Sequence, residues 1–198
     1  MSAEHSGHCR GCKEQVQRLL GALCGDCRIN HAFPWPAKVQ DYEHTILSEI
    51  LKRIHMAIGE LRGYRDFAKS SQVPPCDYYV SNPPFIVEFD ESQHFSRPRW
   101  LSLTLYPAEF KPGFPLSRWR ELCLEIGAID DDPPDRDETR AWYDVLRDLV
   151  PTLHGFRPTV RLYAGEFAWC SLDERSPKDR QRFSLLLKDR LPDVVTIK

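Results

Sequence analysis

Three carboxylates fall within four residues, at Glu88, Asp90 and Glu91, directly after the apolar run Phe85-Ile86-Val87. Gln93 and His94 follow at once. Side chains alternate faces along a strand, so Glu88 and Asp90 share a face if this stretch is extended. Two acids side by side at the end of an apolar strand repel each other and lose hydration. A divalent cation or a basic partner is what offsets that cost. His94 adds a group that titrates near neutrality. A fourth acid, Asp77, lies eleven residues before Glu88 in a second strand-like run, Cys76 to Val80. Ser81-Asn82-Pro83-Pro84 between them reads as a turn. A hairpin folded there carries Asp77 towards Glu88 and Asp90.

Such a set suits phosphodiester hydrolysis. The reaction needs an activated water, stabilised charge on phosphorus, and a leaving oxygen that is protonated or held. Mg²⁺ (or Mn²⁺) bound by one or two carboxylates supplies the first two. Asp77 and Glu88 are the expected ligands, with the carbonyl of Phe89 as a further one. Asp90 is a ligand, a water-orienting group, or a base if burial beside Glu88 raises its pKa. His94 serves as general acid or phosphate contact, and Gln93 positions water or substrate. Arg97 and Arg99 follow directly and suit bidentate phosphate contacts.

The same residues carry a resemblance. Cys76-Asp77-Tyr78-Tyr79 followed by Ile86-Val87-Glu88-Phe89-Asp90-Glu91-Ser92-Gln93-His94 resembles the PD-(D/E)XK nuclease superfamily, and within it the very-short-patch-repair and small endonuclease-like branch. That branch has an Asp opening one strand, then a strand ending in a Glu-x-Asp-Gly-x-x-His signature. Two departures stand out: Asp90 occupies the place of the superfamily lysine, and Glu91 that of the branch's glycine. Arg136-Asp137-Glu138-Thr139-Arg140 opening a helix, with a later strand carrying Arg161, is similar to the C-terminal half of the same branch. The resemblance spans about Asp77 to Tyr163. It implies a restriction-endonuclease-like core in the order αβββαβ, a metal-dependent endonuclease acting on DNA, and Arg136, Arg140 and Arg161 around the site. The alternative it leaves open is a non-catalytic nucleic-acid or protein-binding module on a degenerate nuclease fold.

The elements that must position these residues are legible in part. At 198 residues, 41% hydrophobic and 28% charged, the chain is long enough for one main domain with a real core and a small appendage. The class expected is α/β, a mixed sheet flanked by helices. A formal net charge of −2 gives no global case for nucleic-acid affinity, so a DNA surface must be a local patch. No signal-like or membrane-length apolar run is present, which leads to a cytoplasmic expectation. A helix is expected over Asp41–Arg62, with Gly63 to stop it. Trp100–Tyr106 alternates and reads as a strand. Helices are expected over Leu116–Ile126, Arg136–Leu149 and from Ser176-Pro177 onwards, with a strand over Thr159–Tyr163. Phe167–Leu172 is expected to continue the sheet. Asp130–Asp135 is an acidic connector, or else a second set of metal-facing acids.

Of seven cysteines, four form two pairs, Cys9-x-x-Cys12 and Cys24-x-x-Cys27. In a reducing compartment such pairs suggest zinc before disulfide. Val16, Leu19, Leu20 and Leu23 between them mark an amphipathic helix. A straight helix from Lys13 to Leu23 would hold Cys12 and Cys24 roughly 18 Å apart, too far for one zinc with Zn–S bonds of about 2.3 Å. Either the helix breaks near Gly21 and folds back, or the two pairs share no metal. His5 and His8 are substitute donors for the first pair. Residues 1–38 are thus expected as a cysteine-rich element and linker, with Ile29–Lys38 as the linker. Residues 39–198 are expected as the nuclease-like domain.

Overall fold

The computed structural model describes residues 9–191. Its centre is a four-stranded mixed sheet in the order β1-β2-β3-β4. β1 (Cys27–His31), β2 (Cys76–Ser81) and β3 (Pro84–Asp90) are successively antiparallel, and β4 (Val160–Tyr163) lies parallel to β3. Helix α1 (Arg10–Cys24) precedes β1, and α2 (Ser48–Arg62) lies between β1 and β2. Between β3 and β4 come α3 (Arg97–Thr104), α4 (Leu116–Ile126) and α5 (Arg136–Leu149), and α6 (Pro177–Arg190) follows β4. The class is therefore α/β, as expected. No helix among the described residues is long and apolar enough to cross a membrane.

The sheet is covered on both faces, and the alternation of β3 shows how. Phe85, Val87 and Phe89 pack with Val16, Leu19 and Leu20 of α1 and Phe183 and Leu187 of α6. Ile86 packs on the other side with α2, α3, α4 and α5, around Ile54, Leu103, Trp119, Trp142 and Val145. Burial on both faces explains why Phe85–Asp90 is buried throughout. The register sets Glu88 beside Arg161 and Asp90 beside Tyr163, so the charged residues of β3 and β4 meet on the α5 face.

Several elements form as their local chemistry dictates. The β2–β3 hairpin turns at Ser81–Pro84, as expected. Gly63 ends α2 in the left-handed region at φ 84°, where a glycine has no Cβ to clash. Ser176 caps α6 by accepting from the Asp179 N–H, with Pro177 in its first turn.

Other expectations are corrected. Trp100–Tyr106 is not a strand, because α3 runs through it. Ser96 Oγ accepts from the Arg99 N–H, Pro98 sits in the first turn, and Arg99, Ser102 and Leu103 are buried. The expected helix over Asp41–Arg62 begins only at Ser48, after a 3-10 turn over Val39–Tyr42. Phe167–Leu172 does not extend the sheet. A 3-10 turn at Trp169–Ser171 folds back, with Trp169 Nε1 donating to Tyr163 O at 3.0 Å. The linker expected over Ile29–Lys38 starts inside β1. The boundary at residue 38 is crossed by the sheet itself, since β1 is its edge strand and α1 covers one of its faces. The aromatics of that stretch do pin it down. Phe33 stacks on Trp35 at 4.2 Å, and Trp35 on His154 at 5.2 Å.

Candidate functional site

The acids singled out in the sequence divide between the two faces of the sheet. Asp77, on β2, accepts from the Phe89 N–H of β3 at 2.8 Å through Oδ2. Its other oxygen, Oδ1, lies 3.4 Å from Lys13 Nζ, which reaches over from the first turns of α1. The same ammonium stands 3.9 Å from Glu91 Oε1 and 5.9 Å from the centre of the Phe89 ring. Gln93 Nε2 donates to Glu91 Oε2 at 2.8 Å. Asp77, Glu91 and Lys13 thus meet at the end of β3 on the α1 side. Glu91 is buried, whereas Asp77 and Lys13 are about a quarter and a third exposed (25% and 31%). They open onto a pocket of about 300 Å³ that Glu14, Gln17 and Tyr78 also line.

Glu88 and Asp90 point the other way. Glu88 Oε1 is 3.3 Å from Arg147 Nε on α5. Burial pushes its carboxyl up to about 8, with Arg147 pulling against that and Asp77 adding to it. Asp90 is buried at the centre of an ion network. Arg161 Nη1 donates to its Oδ1 at 2.6 Å, and Trp119 Nε1 donates to Oδ2 at 2.7 Å. Arg161 also binds Asp148 at 2.7 Å and Asp144 at 3.2 Å. Arg99 donates to Asp148 at 2.7 Å and to Tyr106 Oη at 3.0 Å. His94 Nδ1 lies 3.0 Å from Asp144 Oδ2 and 3.7 Å from Asp90 Oδ1. Burial alone would lower the imidazole's pKa. The charge and hydrogen bond of Asp144, with the charge of Asp90, outweigh it and hold His94 above the ordinary histidine value. Asp144 is held well below the usual carboxylate range, since Arg161, His94 and Arg99 more than reverse the effect of burial.

Asp77 and Glu88 feel each other's charge, and each also has a cation of its own. The two strands are neighbours, but the carboxylates answer to Lys13 and Arg147, cations on helices that cover opposite faces. Asp90, His94 and Asp144 do bring their donor atoms within 4.8 Å of one another. Arg161 contacts Asp90 and Asp144 from inside that set, with His94 and Arg99 also facing Asp144, so the positive charge a metal would supply comes from the protein's own cations.

The expected substrate arginines are likewise sorted. Arg99 and Arg161 are fully buried and spent on carboxylates, so neither reaches substrate. Arg97 is exposed and lines an apolar pocket with Trp100 and Ile129. Arg136 and Arg140 line a pocket of about 390 Å³ with Lys69, His94 and Arg147. Arg140 also donates to Gln93 O at 3.0 Å and to Asp130 at 2.6 Å. That second contact makes Asp130 an anchor for α5.

The four paired cysteines do not surround one zinc. α1 runs unbroken through Gly21, with Cys12 in its first turn and Cys24 at its end. Cys9 and Cys12 instead lie with Cys170, their three sulfurs within 4.8 Å of one another. His5 and His8 fall outside the described residues.

Lys13 and Glu14 are the site residues that sequence reasoning passed over. The helix bearing them was legible, but its assignment to a separate cysteine element removed it from the sheet. No protein-family model matches the chain, and no curated protein and no solved structure matches it.

Proposed function

We propose that this chain is a divalent-metal-dependent nuclease acting on DNA, built on a restriction-endonuclease-like core, with Lys13, Asp77, Glu91 and Gln93 as its working residues. One observation carries the reading: the ammonium of Lys13 reaches the carboxylates of both Asp77 and Glu91 at the open end of β3. The superfamily that the motif resembles uses an aspartate on one strand, an acid on the next and a lysine. Here the lysine comes from the first helix rather than from the strand. The element order is compatible with an αβββαβ core, with α2 inserted between β1 and β2 and α3 and α4 inserted ahead of α5.

The donors fit a hard cation. Asp77 and Glu91 offer oxygens only, and Asp77 opens on the pocket, as Mg²⁺ or Mn²⁺ requires. Those two residues would hold the ion, and bound there it would supply Lewis-acid stabilisation of the phosphate and a lowered pKa for water. Lys13 places a fixed positive charge where negative charge develops on the phosphoryl oxygens. Gln93, held by Glu91, presents its second amide N–H and its carbonyl oxygen to water or substrate. Glu88 and Asp90 have structural parts in this reading, Asp90 pairing with Arg161 and Glu88 lying against Arg147 beneath the site.

A plasmid-nicking assay in Mg²⁺ and in Mn²⁺ tests this. Asp77→Ala, Glu91→Gln and Lys13→Met are each expected to lower cleavage by about 100-fold or more. Glu88→Gln is expected to retain it at a pH where the fold is intact. The second reading, a non-catalytic binding module, is favoured by Asp90, which stands in the place of the superfamily lysine and is spent on Arg161 and Trp119. DNA binding without metal-dependent cleavage by the wild type would decide for it.

A further inference from the structure

We propose that Cys9, Cys12 and Cys170 form a structural zinc site that ties the start of α1 to the turn after β4. The three sulfurs already lie within 4.8 Å of one another. Tetrahedral ligands on Zn–S bonds of about 2.3 Å stand about 3.8 Å apart, so each pair has to close by about 1 Å at most. Cys9 is the residue before α1 and turns directly into it. The Cys12 N–H donates to Cys9 O at 3.1 Å, and the Lys13 N–H to the same oxygen at 3.3 Å. This is the tight Cys-x-x-Cys turn that presents two thiolates to one metal.

Cys170 comes from the far end of the chain, on the 3-10 turn Trp169–Ser171. That turn packs against the helix. A Cβ built on Gly11 would stand 3.6 Å from the Cys170 Cβ. Trp169, next to Cys170, is fully buried in the same cluster as Val16, Leu19 and Leu20. The contact that brings the third sulfur in is thus part of the core.

Three soft thiolates select zinc over Mg²⁺ or Ca²⁺. A structural zinc is four-coordinate, so one nitrogen or oxygen donor completes the set. Binding removes one proton from each of three thiols, so three protons leave as one Zn²⁺ enters. Cys170 is exposed, which gives the ion a way in. Cys24 and Cys27, at the other end of α1, take no part.

The test reads metal, independently of any cleavage assay, so it stands or falls apart from the nuclease proposal. Full-length protein purified in reductant without chelator is expected to carry about one zinc per chain by plasma mass spectrometry. Cys9→Ser and Cys170→Ser are expected to reduce that to about a tenth or less, and the Cys24→Ser/Cys27→Ser pair to leave it unchanged. Metal-free wild type titrated with Co²⁺ is expected to develop a sulfur-to-cobalt charge-transfer band of three-thiolate intensity. Wild type alone also serves should the Cys170 variant not fold. Alkylation with mass mapping is expected to label Cys9 and Cys170 only after chelation, with Cys24 labelling indifferent to the chelator. Zinc-free protein that gives no cobalt band overturns the proposal. So does metal that leaves with Cys24 and Cys27 but survives loss of Cys170, and so does a disulfide mapped between any two of the three in reductant.

Discussion

Glu88 lies beneath α5 with its carboxyl pushed up to about 8 by burial, an effect that Arg147 offsets only in part. The folded chain keeps a proton on Glu88 over a range in which the unfolded chain has released it. The folded pKa is raised, so the stability it contributes is complete below the unfolded glutamate value, about 4.3. That stability is lost as pH rises through about 8. Wild type should therefore lose unfolding free energy between pH 5 and pH 8.5. Glu88→Gln, which keeps the shape and removes the titration, should reduce that loss by about 1–3 kcal/mol over the window. Urea melts across that window measure it, and identical slopes would show that Arg147 keeps Glu88 ionised. Arg161 makes the complementary case. Arg161→Met leaves Asp90, Asp144 and Asp148 buried without their shared cation, at an expected cost of about 3–5 kcal/mol in the same melts. The acids of both sites were visible in the sequence as a cluster. Their cations were not, because Lys13 stands 64 residues before Asp77 and Arg161 stands 71 after Asp90. Composition carries no record of which distant charge closes on which.

Among the elements, α3 is the one on which a local rule decided against a pattern. Trp100-Leu101-Ser102-Leu103-Thr104-Leu105-Tyr106 alternates like a strand, yet the cap at Ser96 and the proline in the first turn start a helix just upstream. The buried Arg99–Asp148 pair then holds that helix against α5. Ser96→Ala should cost about 1 kcal/mol by denaturant melt, the usual worth of an N-cap. No change would mean that the ion pair, not the cap, sets the helix. Elements with long apolar stripes, α4, α5 and α6, were legible because a 3.6-residue period needs no tertiary knowledge. So was the hairpin, whose prolines forbid most alternatives. α5 also shows where periodicity is silent. Asp137, Glu138, Asp144, Arg147 and Asp148 are buried on it beside Trp142 and Val145, and charges on a helix read from sequence as a solvated face. β1 escaped notice because an edge strand carrying Arg28, Asn30 and His31 has no apolar alternation, and its place comes from pairing with β2.

At the scale of the whole molecule, the order of the chain matters more than any boundary within it. Composition marks a break near residue 38, where a cysteine-bearing start gives way through Phe33-Pro34-Trp35-Pro36 to the main body. Physically the break is not there. Cys12, Val16, Leu19 and Leu20 of α1 are completely buried against Tyr78, Val80, Phe85, Val87 and Phe89. Burying each aliphatic side chain contributes about 1.5–3 kcal/mol, so the three of α1 together account for about 5–9 kcal/mol. A domain of this kind has a net stability of only about 5–15 kcal/mol. Removing α1 and β1 also exposes the apolar face they cover and the backbone edge of β2. A fragment spanning 39–198 should therefore fail to fold as a cooperative unit. Circular dichroism should show reduced structure with a broad urea transition, and adding residues 9–38 as a separate peptide should restore a sharp one. A fragment that melts as sharply as the full chain would place the first helix outside the core. It would take Lys13 away from Asp77 and Glu91 as well, because the same packing that completes the sheet brings the lysine to its acids.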